Sequence, residues 1–329
     1  MAEKNALYPL KFYPIIKERI WGGNKLQTVL GKEIPADSPS GESWEISGVE
    51  NDVSVVKDGT LDGKNLTQLI DTFKGDLVGN KVYKQFGNQL PLLIKFLDAQ
   101  EDLSIQVHPH DELAKERHNS FGKTEMWYVI QADEGSSVRS GFNRQIDKDI
   151  YLKHLEERKL DDILNIVPVQ PDDVIFLPAG RVHSIGKGLL IAEIQQTSDI
   201  TYRVYDFDRK DKYGKTRELH TEQAVDAIDY NYYADIKSTY SKQLNGVSAL
   251  ASCQYFATNL LYFDKALNRD YSAIDSFIVL MAMEGSTTLQ YDGRKTTLVK
   301  GESILLPAAI KHIELIPSDT AKLLESYVP

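Results

Sequence analysis

The pattern of apolar and polar positions along the chain predicts many short strands and few helices. Apolar, β-branched and aromatic residues form runs of seven to ten residues bounded by Gly, Pro or Asp, which is typical of buried strands. The clearest runs are SWEISGV (43–49), LPLLIKFLDA (90–99), EMWYVIQA (125–132), DVIFLPA (173–179) and LLIAEIQQ (189–196). The sequence therefore predicts a mainly β protein.

Helical periodicity occurs in three segments, at 65–73, 146–167 and 220–228. The middle segment is interrupted and predicts two helices rather than one, and Thr221 is the expected N-cap of the last. None carries a chemical motif. We therefore expect helical insertions, at about 60–85 and at 146–167, that serve packing.

An internal repeat divides the chain. DDVIFLPAGRVHSI (172–185) aligns with GESILLPAAIKHIEL (301–315), and both contain Leu-Pro-Ala followed by a histidine, His183 and His312. Upstream, WYVIQADEGS (127–136) resembles FIVLMAMEGS (277–286). The repeat predicts two copies of one β unit, the first at 1–240 with the helical insertions and the second at 241–329.

Composition narrows the function classes. The 329 residues suffice for a large core or two units, and 42% hydrophobic with 26% charged residues is ordinary globular composition. The net charge of −10 and the absence of a long basic run disfavour nucleic acid as a partner. A single cysteine, Cys253, excludes an intramolecular disulfide and a cysteine-rich zinc site. No apolar run approaches the roughly 18 residues that span a bilayer, so we expect a cytoplasmic protein with no membrane contact.

The segment SIQVHPH (104–110) contains the first candidate metal ligands. Successive side chains of a strand point to opposite faces, so Gln106 and His108 share one face while Ile105 and Val107 share the other. Pro109 predicts the strand end, which leaves the pair near a sheet rim. This arrangement is a plausible place for a metal.

Two more donors follow. Glu125 begins a strongly apolar strand in GKTEMWYV, with Lys123 on the same face, and His183 follows a tight turn in LPAGRVHSIG. In the second copy the alignment pairs Glu125 with Asp275, and nothing there resembles Q-V-H-P. We therefore expect a metal site only in the first copy, and His312 to be a structural remnant.

Together these motifs resemble a known family. Paired donors on one strand, a glutamate after a glycine and P-x-G-x-x-H resemble the cupin β-barrel, and LSIQVHPHDE, GKTEMWYV, PAGRVHSIGKG and ITYRVYDFDR resemble type I mannose-6-phosphate isomerases of the shorter bacterial form. The resemblance implies two cupin-like (jelly-roll) β-barrels with a helical insertion. It also implies one Zn²⁺ per chain, with Gln106, His108, Glu125 and His183 as ligands. Many members have K-P-E where this chain has Lys-Thr-Glu at 123–125, although the shorter form accepts threonine.

The resemblance further implies an aldose–ketose isomerase that interconverts mannose 6-phosphate and fructose 6-phosphate through an enediol or enediolate. It assigns the active-site arginine to Arg203 and the active-site lysines to Lys95 and Lys123. Arg203 and Lys123 are candidates for phosphate binding, and Arg203 could instead stabilise the enediolate. The proton carrier stays open among Lys95, Lys123, His110 and a metal-bound water. Without the family, TYRVYDFDR would predict a surface ion pair of Arg203 with Asp206 or Asp208.

Four residues are candidates for substrate contact. Trp21 and Trp44 either wall a sugar pocket or pack in the core, Ser104 is a candidate phosphate ligand, and His110 follows the ligand pair. Two other functions remain open: a catalytically silent sugar-phosphate-binding cupin, and an iron cupin oxygenase, which Gln106 in place of a histidine disfavours. We expect a small sugar phosphate as the partner, and a monomer or weak homodimer.

Overall fold

The computed structural model describes residues 7–34 and 39–329, and it is mainly β, as the sequence predicts. The five strands predicted from apolar runs are all present: those at 125–132 and 189–196 have the predicted ends, and the other three have shifted ends. The strands before residue 206 are β1 Lys11–Phe12, β2 Ile15–Gly23, β3 Ser40–Ile46, β4 Val56–Lys57, β5 Leu92–Ala99, β6 Ile105–Val107, β7 Glu125–Ala132, β8 Ser137–Phe142, β9 Leu164–Pro168, β10 Val174–Leu177, β11 His183–Ile185, β12 Leu189–Gln196 and β13 Tyr202–Tyr205.

Most of these strands form two sheets, which we call the N-terminal sheets. One has the order β10-β7-β12-β5-β2-β3 and the other the order β13-β6-β11-β8-β9. Strand alternation explains why the larger sheet is apolar on both faces. Leu97 and Trp127 pack between the two sheets, whereas Phe96 and Tyr128 point away from them into a second core.

The remaining strands form two further sheets, the C-terminal sheets, with the orders β14-β15-β22-β17-β20 and β16-β21-β18-β19. Leu280, Leu289 and Leu323 belong to the core between them, and Val279 and Leu324 share the second core with Phe96. The strands are β14 Gly246–Ser252, β15 Ala257–Phe263, β16 Leu267–Asp270, β17 Ile278–Glu284, β18 Ser286–Tyr291, β19 Arg294–Val299, β20 Ser303–Leu306, β21 His312–Pro317 and β22 Ala321–Tyr327.

Strand order reproduces the internal repeat. The series β10-β7-β12-β5 corresponds to β20-β17-β22-β15, and β6-β11-β8-β9 corresponds to β16-β21-β18-β19. Both copies are therefore built from two sheets with one shared topology. Closure of either copy into a barrel, and the division near residue 240, stay predictions.

Strand register corrects one residue match between the copies. Leu177 lies opposite Glu125 and its repeat partner Leu306 lies opposite Ile278, so Ile278, not Asp275, is the counterpart of Glu125. The connection from β7 to β8 is longer than that from β17 to β18, so aligning the shared Glu-Gly-Ser displaced the strands. Asp275 instead accepts hydrogen bonds from two backbone amides at the start of a helix.

The helices are short and match the sequence predictions in part. They are α1 Lys25–Thr28, α2 Leu66–Phe73, α3 Gly75–Val78, α4 Asn80–Phe86, α5 Asp111–His118, α6 Lys148–Glu156 and α7 Thr221–Ala227. The predicted second helix of 146–167 is reduced to a three-residue 3₁₀ helix, Leu160–Asp162. Arg158 takes a left-handed conformation (φ 58°), and the β-branched end of the segment pairs with β8 as β9. Thr221 is the first helical residue rather than the N-cap, which is His220.

The insertion formed by α2, α3 and α4 connects the two pairs of sheets. Leu66 and Leu69 belong to the core shared by both pairs, and the Ala308 amide donates to the Leu77 carbonyl at 2.8 Å. The packing role expected of this segment is therefore observed. Within the two described ranges, every helix is too short or too polar to cross a membrane.

Candidate active site

Three of the four predicted metal ligands lie together at one end of the N-terminal sheets. His108 directly follows β6, Glu125 begins β7 and His183 begins β11, and one ligand atom from each lies within 4.8 Å of the others. The Glu125 oxygens are each 3.5 Å from a histidine Nε2, Oε2 from that of His108 and Oε1 from that of His183. All three side chains are buried. Residues distant in the sequence thus converge on one small volume.

Backbone carbonyls orient both imidazoles. His108 Nδ1 lies 2.9 Å from the Ile200 carbonyl and His183 Nδ1 lies 2.8 Å from the Arg181 carbonyl. With Nδ1–H donated, each Nε2 presents its lone pair toward Glu125, which is the usual outer-sphere arrangement of metal-binding histidines. Burial lowers the pKa of His183 to about 4 and also lowers the pKa of His108. Both rings are therefore neutral at pH 7, as metal ligation requires.

Glu125 is the strongest structural indication of a bound cation. Both carboxylate oxygens are buried, and neither accepts a hydrogen bond. Burial raises the pKa of Glu125 to about 7, although the nearby Lys123 ammonium opposes that rise. One cation is already near, because Lys123 Nζ lies 3.2 Å from Oε2. Even so, a buried carboxylate that accepts no hydrogen bond is costly, and a further cation would compensate it. A divalent metal between Glu125 and the two imidazoles would do so, and the nitrogen and oxygen donors suit zinc as well as iron, manganese or cobalt.

The fourth predicted ligand, Gln106, lies beside this cluster. It is directly opposite His183 across the β6–β11 pair, and its Nε2 is 3.3 Å from His183 Nε2. Ser104 Oγ lies 3.4 Å from Gln106 Oε1. An amide side chain can turn either its nitrogen or its oxygen toward one point, so Gln106 is positioned to add an oxygen donor.

Lys123 is buried next to the same cluster. Its Nζ is 3.2 Å from Glu125 Oε2 and 3.2 Å from His108 Nε2. Burial by itself would lower the pKa of Lys123, but the Glu125 and Glu193 carboxylates outweigh it and raise that pKa. Lys123 is therefore an ammonium at neutral pH.

A cavity of about 600 Å³ lies beside the cluster, although the buried His108, Glu125 and His183 are not among the residues that line it. Gln106 and Lys123 line it, and because each also contacts a cluster residue, they form its floor. Five further residues named from the sequence line the cavity: Trp21, Trp44, Lys95, Ser104 and Arg203. The cavity volume is within the range of small-molecule sites.

His110 is the one predicted site residue that lies elsewhere. Its side chain is 53% exposed, it is absent from the cavity lining, and its Nδ1 is 2.8 Å from Glu112 Oε2. The imidazole also accepts the Leu113 amide as the N-cap of α5. Capping accounts for His110, because the chain turns outward after Pro109.

Sequence reasoning missed the acidic residues of the cavity wall, two of which, Glu193 and Glu42, are buried. Glu193 Oε1 is 3.1 Å from Lys95 Nζ, and its Oε2 accepts Trp127 Nε1 at 2.9 Å. Burial would raise the pKa of Glu193, but Lys95 and Lys123 lower it below its usual value. The signal was available, since Glu193 is the one acidic residue of the apolar strand LLIAEIQQ.

The second missed carboxylate is Glu42. It accepts Arg19 Nε and Trp44 Nε1, both at 2.6 Å, and its Oε2 is 3.9 Å from Lys95 Nζ. Burial alone would raise its pKa, but the charges of Lys95 and Arg19 lower it to about 2. Glu42 is therefore ionised and holds one side of the cavity wall.

Arg203 does not form the surface ion pair that its local sequence suggested. Asp206 pairs with Arg209 and Arg217, and Asp208 pairs with Arg158. Arg203 instead donates from Nη1 to the Glu218 carbonyl at 2.8 Å, while its buried Nε has no hydrogen-bond partner. Burial and the nearby Arg217 lower its pKa. Among the described residues no carboxylate pairs with Arg203, and such an arginine at a cavity wall is suited to an anionic ligand.

Comparison with known families gives two matches. Residues 10–138 match the model of the type I phosphomannose isomerase catalytic domain, and residues 247–328 match that of the mannose-6-phosphate isomerase cupin domain. These matches fall on the N-terminal and the C-terminal sheets, respectively.

Individual relatives extend over almost the whole chain. The mannose-6-phosphate isomerase of Streptococcus mutans is 37% identical over 304 residues, 92% of this chain and 93% of the relative. The Bacillus subtilis mannose-6-phosphate isomerase ManA is 34% identical, covering 93% and 95%. A crystal structure of mannose 6-phosphate isomerase from Bacillus subtilis has a TM-score of 0.87 at 32% identity, covering 97% of this chain and 99% of that one. These findings confirm the resemblance read from the motifs: the chain belongs to the type I mannose-6-phosphate isomerase family of enzymes.

Proposed function

We propose that this protein interconverts mannose 6-phosphate and fructose 6-phosphate, using one Zn²⁺ held by Gln106, His108, Glu125 and His183. The observation that carries the proposal is Glu125, a buried carboxylate that accepts no hydrogen bond from the described residues. It lies beside two oriented neutral imidazoles and behind Gln106 and Lys123, which line a cavity of about 600 Å³. The substrate is inferred from the family, because relatives of this chain are named mannose-6-phosphate isomerase.

The reaction moves a proton between C1 and C2 of the sugar and develops negative charge on the neighbouring oxygens. When bound, zinc supplies Lewis-acid stabilisation of that charge without changing its oxidation state. Lys123 adds a fixed positive charge at the same end of the cavity, because Glu125 and Glu193 keep it protonated.

We assign the proton transfer to Glu193 together with Lys95. They form a buried carboxylate–ammonium pair, 3.1 Å apart, at the cavity wall. The Glu193 carboxylate can accept a proton from C1 or C2 and return it to the neighbouring carbon, which regenerates the carboxylate. The Lys95 ammonium balances the negative charge of that carboxylate. Trp127 fixes the other carboxylate oxygen, which orients the group.

Substrate binding uses other residues of the cavity lining. Arg203 presents a guanidinium that pairs with no carboxylate of residues 7–34 and 39–329, and it donates to the anionic oxygens of the substrate. Trp21 and Trp44 supply rigid apolar surface to the sugar, and Ser104 supplies a hydroxyl.

Metal analysis coupled to an activity assay tests the proposal. Purified protein should contain about one zinc per chain, and it should form fructose 6-phosphate from mannose 6-phosphate. Chelation should abolish the activity and added Zn²⁺ should restore it. Sugar-phosphate binding without turnover would instead indicate a silent binding protein, and dioxygen consumption with bound iron would indicate an oxygenase.

The proposal includes the molecular setting. We propose a catalytic unit at 1–240 and a metal-free second unit at 241–329, supported by the separate N-terminal and C-terminal sheets. We also propose that the protein acts in the cytoplasm as a monomer or weak homodimer. Sedimentation at several concentrations tests the oligomeric state.

A further inference from the structure

A side chain from a connection in the C-terminal sheets lies close to the active site of the N-terminal sheets. Tyr255 lies in the connection between β14 and β15, and its hydroxyl donates to Asp111 Oδ2 at 2.6 Å. Asp111 begins α5, three residues after the ligand His108. A polar contact between the two pairs of sheets therefore ends beside the metal-ligand loop.

Asp111 passes this contact on to the backbone around Lys123. Its Oδ1 accepts the Gly122 amide at 2.8 Å and Gln196 Nε2 at 3.0 Å. The other end of the Gln196 side chain, Oε1, accepts the Thr124 amide at 2.8 Å. The amides on both sides of Lys123 are thus held by one network.

Two sequence features make this network possible. A Cβ on residue 122 would lie 2.7 Å from the Asp111 amide nitrogen and 2.9 Å from Asp111 Oδ1, so only glycine allows the close approach. Residue 124 must carry an amide hydrogen, and threonine has one where many family members have proline. The network therefore depends on the Gly-Lys-Thr-Glu sequence of this chain.

We propose that Tyr255 is a positioning residue for the metal site, acting through Asp111 and Gln196 on the segment that carries Lys123 and Glu125. The inference rests on the metal assignment of the proposed function. It gives the C-terminal sheets an indirect part in catalysis, although their own strands lack the ligand set. Tyr255 does not line the cavity of about 600 Å³, so its effect on the substrate is indirect.

The test compares Tyr255→Phe with Tyr240→Phe. Both tyrosines are half-buried hydroxyl donors, but Tyr240 donates to the Asp172 carbonyl, outside the network. In Tyr255→Phe, we expect the affinity of metal-free protein for Zn²⁺, measured by competition with a chelator, to fall about threefold to tenfold, at or below the range for loss of an outer-sphere partner. We expect kcat to fall with KM little changed, and amide hydrogen exchange at Gly122 and Thr124 to accelerate. Tyr240→Phe should leave all three readouts at wild-type values.

A double-mutant cycle locates the route. Asp111→Ala removes the carboxylate that joins Tyr255 to Gly122 and Gln196, so adding Tyr255→Phe should lower Zn²⁺ affinity no further. If Tyr255→Phe fails to fold, Gln196→Met removes the Thr124 branch without touching the contact between the sheets, and it should lower Zn²⁺ affinity in the same way. If the wild type binds Zn²⁺ and the folded variants bind it with the same affinity, this inference alone is overturned. If the wild type does not bind Zn²⁺, the proposed function is overturned and this inference with it.

Discussion

The two copies of the β unit place different side chains at matching positions. Where β7 begins with Glu125, β17 begins with Ile278, and where His183 faces Gln106, His312 faces Asp270. The His183 side chain is 2% exposed, whereas that of His312 is 73% exposed. Strand register alone therefore does not make a ligand. A metal site also requires a carboxylate such as Glu125 and buried surroundings for both histidine rings.

A second pair of matching positions shows how the same carboxylate can serve stability instead. Glu193 lies opposite Trp127 and Lys95, and its counterpart Glu325 lies opposite Leu280 and Asn259. Glu325 is completely buried and accepts hydrogen bonds from four donors: Asn259 Nδ2, Arg269 Nε and Nη2, and Tyr271 OH. Glu193 borders a cavity instead. The difference separates a saturated structural ion pair from a carboxylate available to a substrate.

The largest expected effect comes from removing the donor that only the N-terminal copy has. Glu125→Ala should reduce Zn²⁺ affinity by at least about 100-fold and abolish isomerase activity, since it removes the only carboxylate of the ligand set. His312→Ala, the matched control, should change neither. Chelator competition and a fructose 6-phosphate assay measure both. Activity retained in Glu125→Ala would contradict the ligand assignment.

Substitution of Glu193 should affect catalysis rather than stability, whereas substitution of Glu325 should affect stability rather than catalysis. Glu193→Gln should lower kcat about 10²- to 10⁴-fold, the usual contribution of general acid–base catalysis, with little loss of stability. Glu325→Gln should lower the free energy of unfolding by about 3 kcal/mol, because it leaves Arg269 without its counter-charge, while the folded fraction keeps the wild-type kcat. Steady-state kinetics and urea unfolding of both variants measure these two effects. Equal effects of the two variants on kcat would refute the prediction.

Two arginines extend the comparison. Arg203→Ala should lower kcat/KM about ten- to a hundredfold, the cost of losing a charged hydrogen bond of about 1.5–3 kcal/mol, and leave stability near wild type. Arg269→Ala should do the reverse, since Arg269 binds Glu325. Wild-type kcat/KM in Arg203→Ala would remove Arg203 from the site.

A smaller effect is expected from pH. Burial raises the pKa of Glu125 to about 7, so its proton competes with the metal below that pH. Zn²⁺ affinity should fall about tenfold per pH unit as pH drops below about 7, and His183, with its pKa lowered to about 4, should not add to the slope until far lower pH. Chelator competition between pH 5.5 and 8 measures the slope, with buffer and chelator protonation corrected. A pH-independent affinity would contradict the prediction.

Local patterns predicted the strands better than the helices. The apolar runs around Phe96 and Trp127 are long and bounded, so their existence was readable, and α2 and α7 were also predicted nearly in place. The end of 146–167 was misread because Ile166 and Val167 fit a helical period, while pairing with β8 decides their conformation. The match of Glu125 to Asp275 was wrong because the alignment superimposed Glu-Gly-Ser of the two copies, although the β7–β8 connection is longer than the β17–β18 connection.

The candidate site divides in the same way. Gln106 and His108 were named as candidate ligands because they share one strand face, and the family resemblance implied the full set with Glu125 and His183. Glu193 and Glu42 were missed, since a single acid in an apolar strand carries no information about its partners. His110 was named as a substrate contact and candidate proton carrier, although the turn after Pro109 directs it to solvent.

The sequence by itself determined the mainly β character, the repeat and the ligand types, because side-chain alternation and motif spacing are local properties of the chain. Only the tertiary structure decided that Tyr255 reaches Asp111 and that, within the part of the chain that the structure describes, Glu125 accepts no hydrogen bond and Arg203 pairs with no carboxylate. These properties depend on burial and on contacts between residues far apart in the chain. Desolvation and hydrogen-bond saturation are set by the surroundings of a side chain, and no local pattern encodes them.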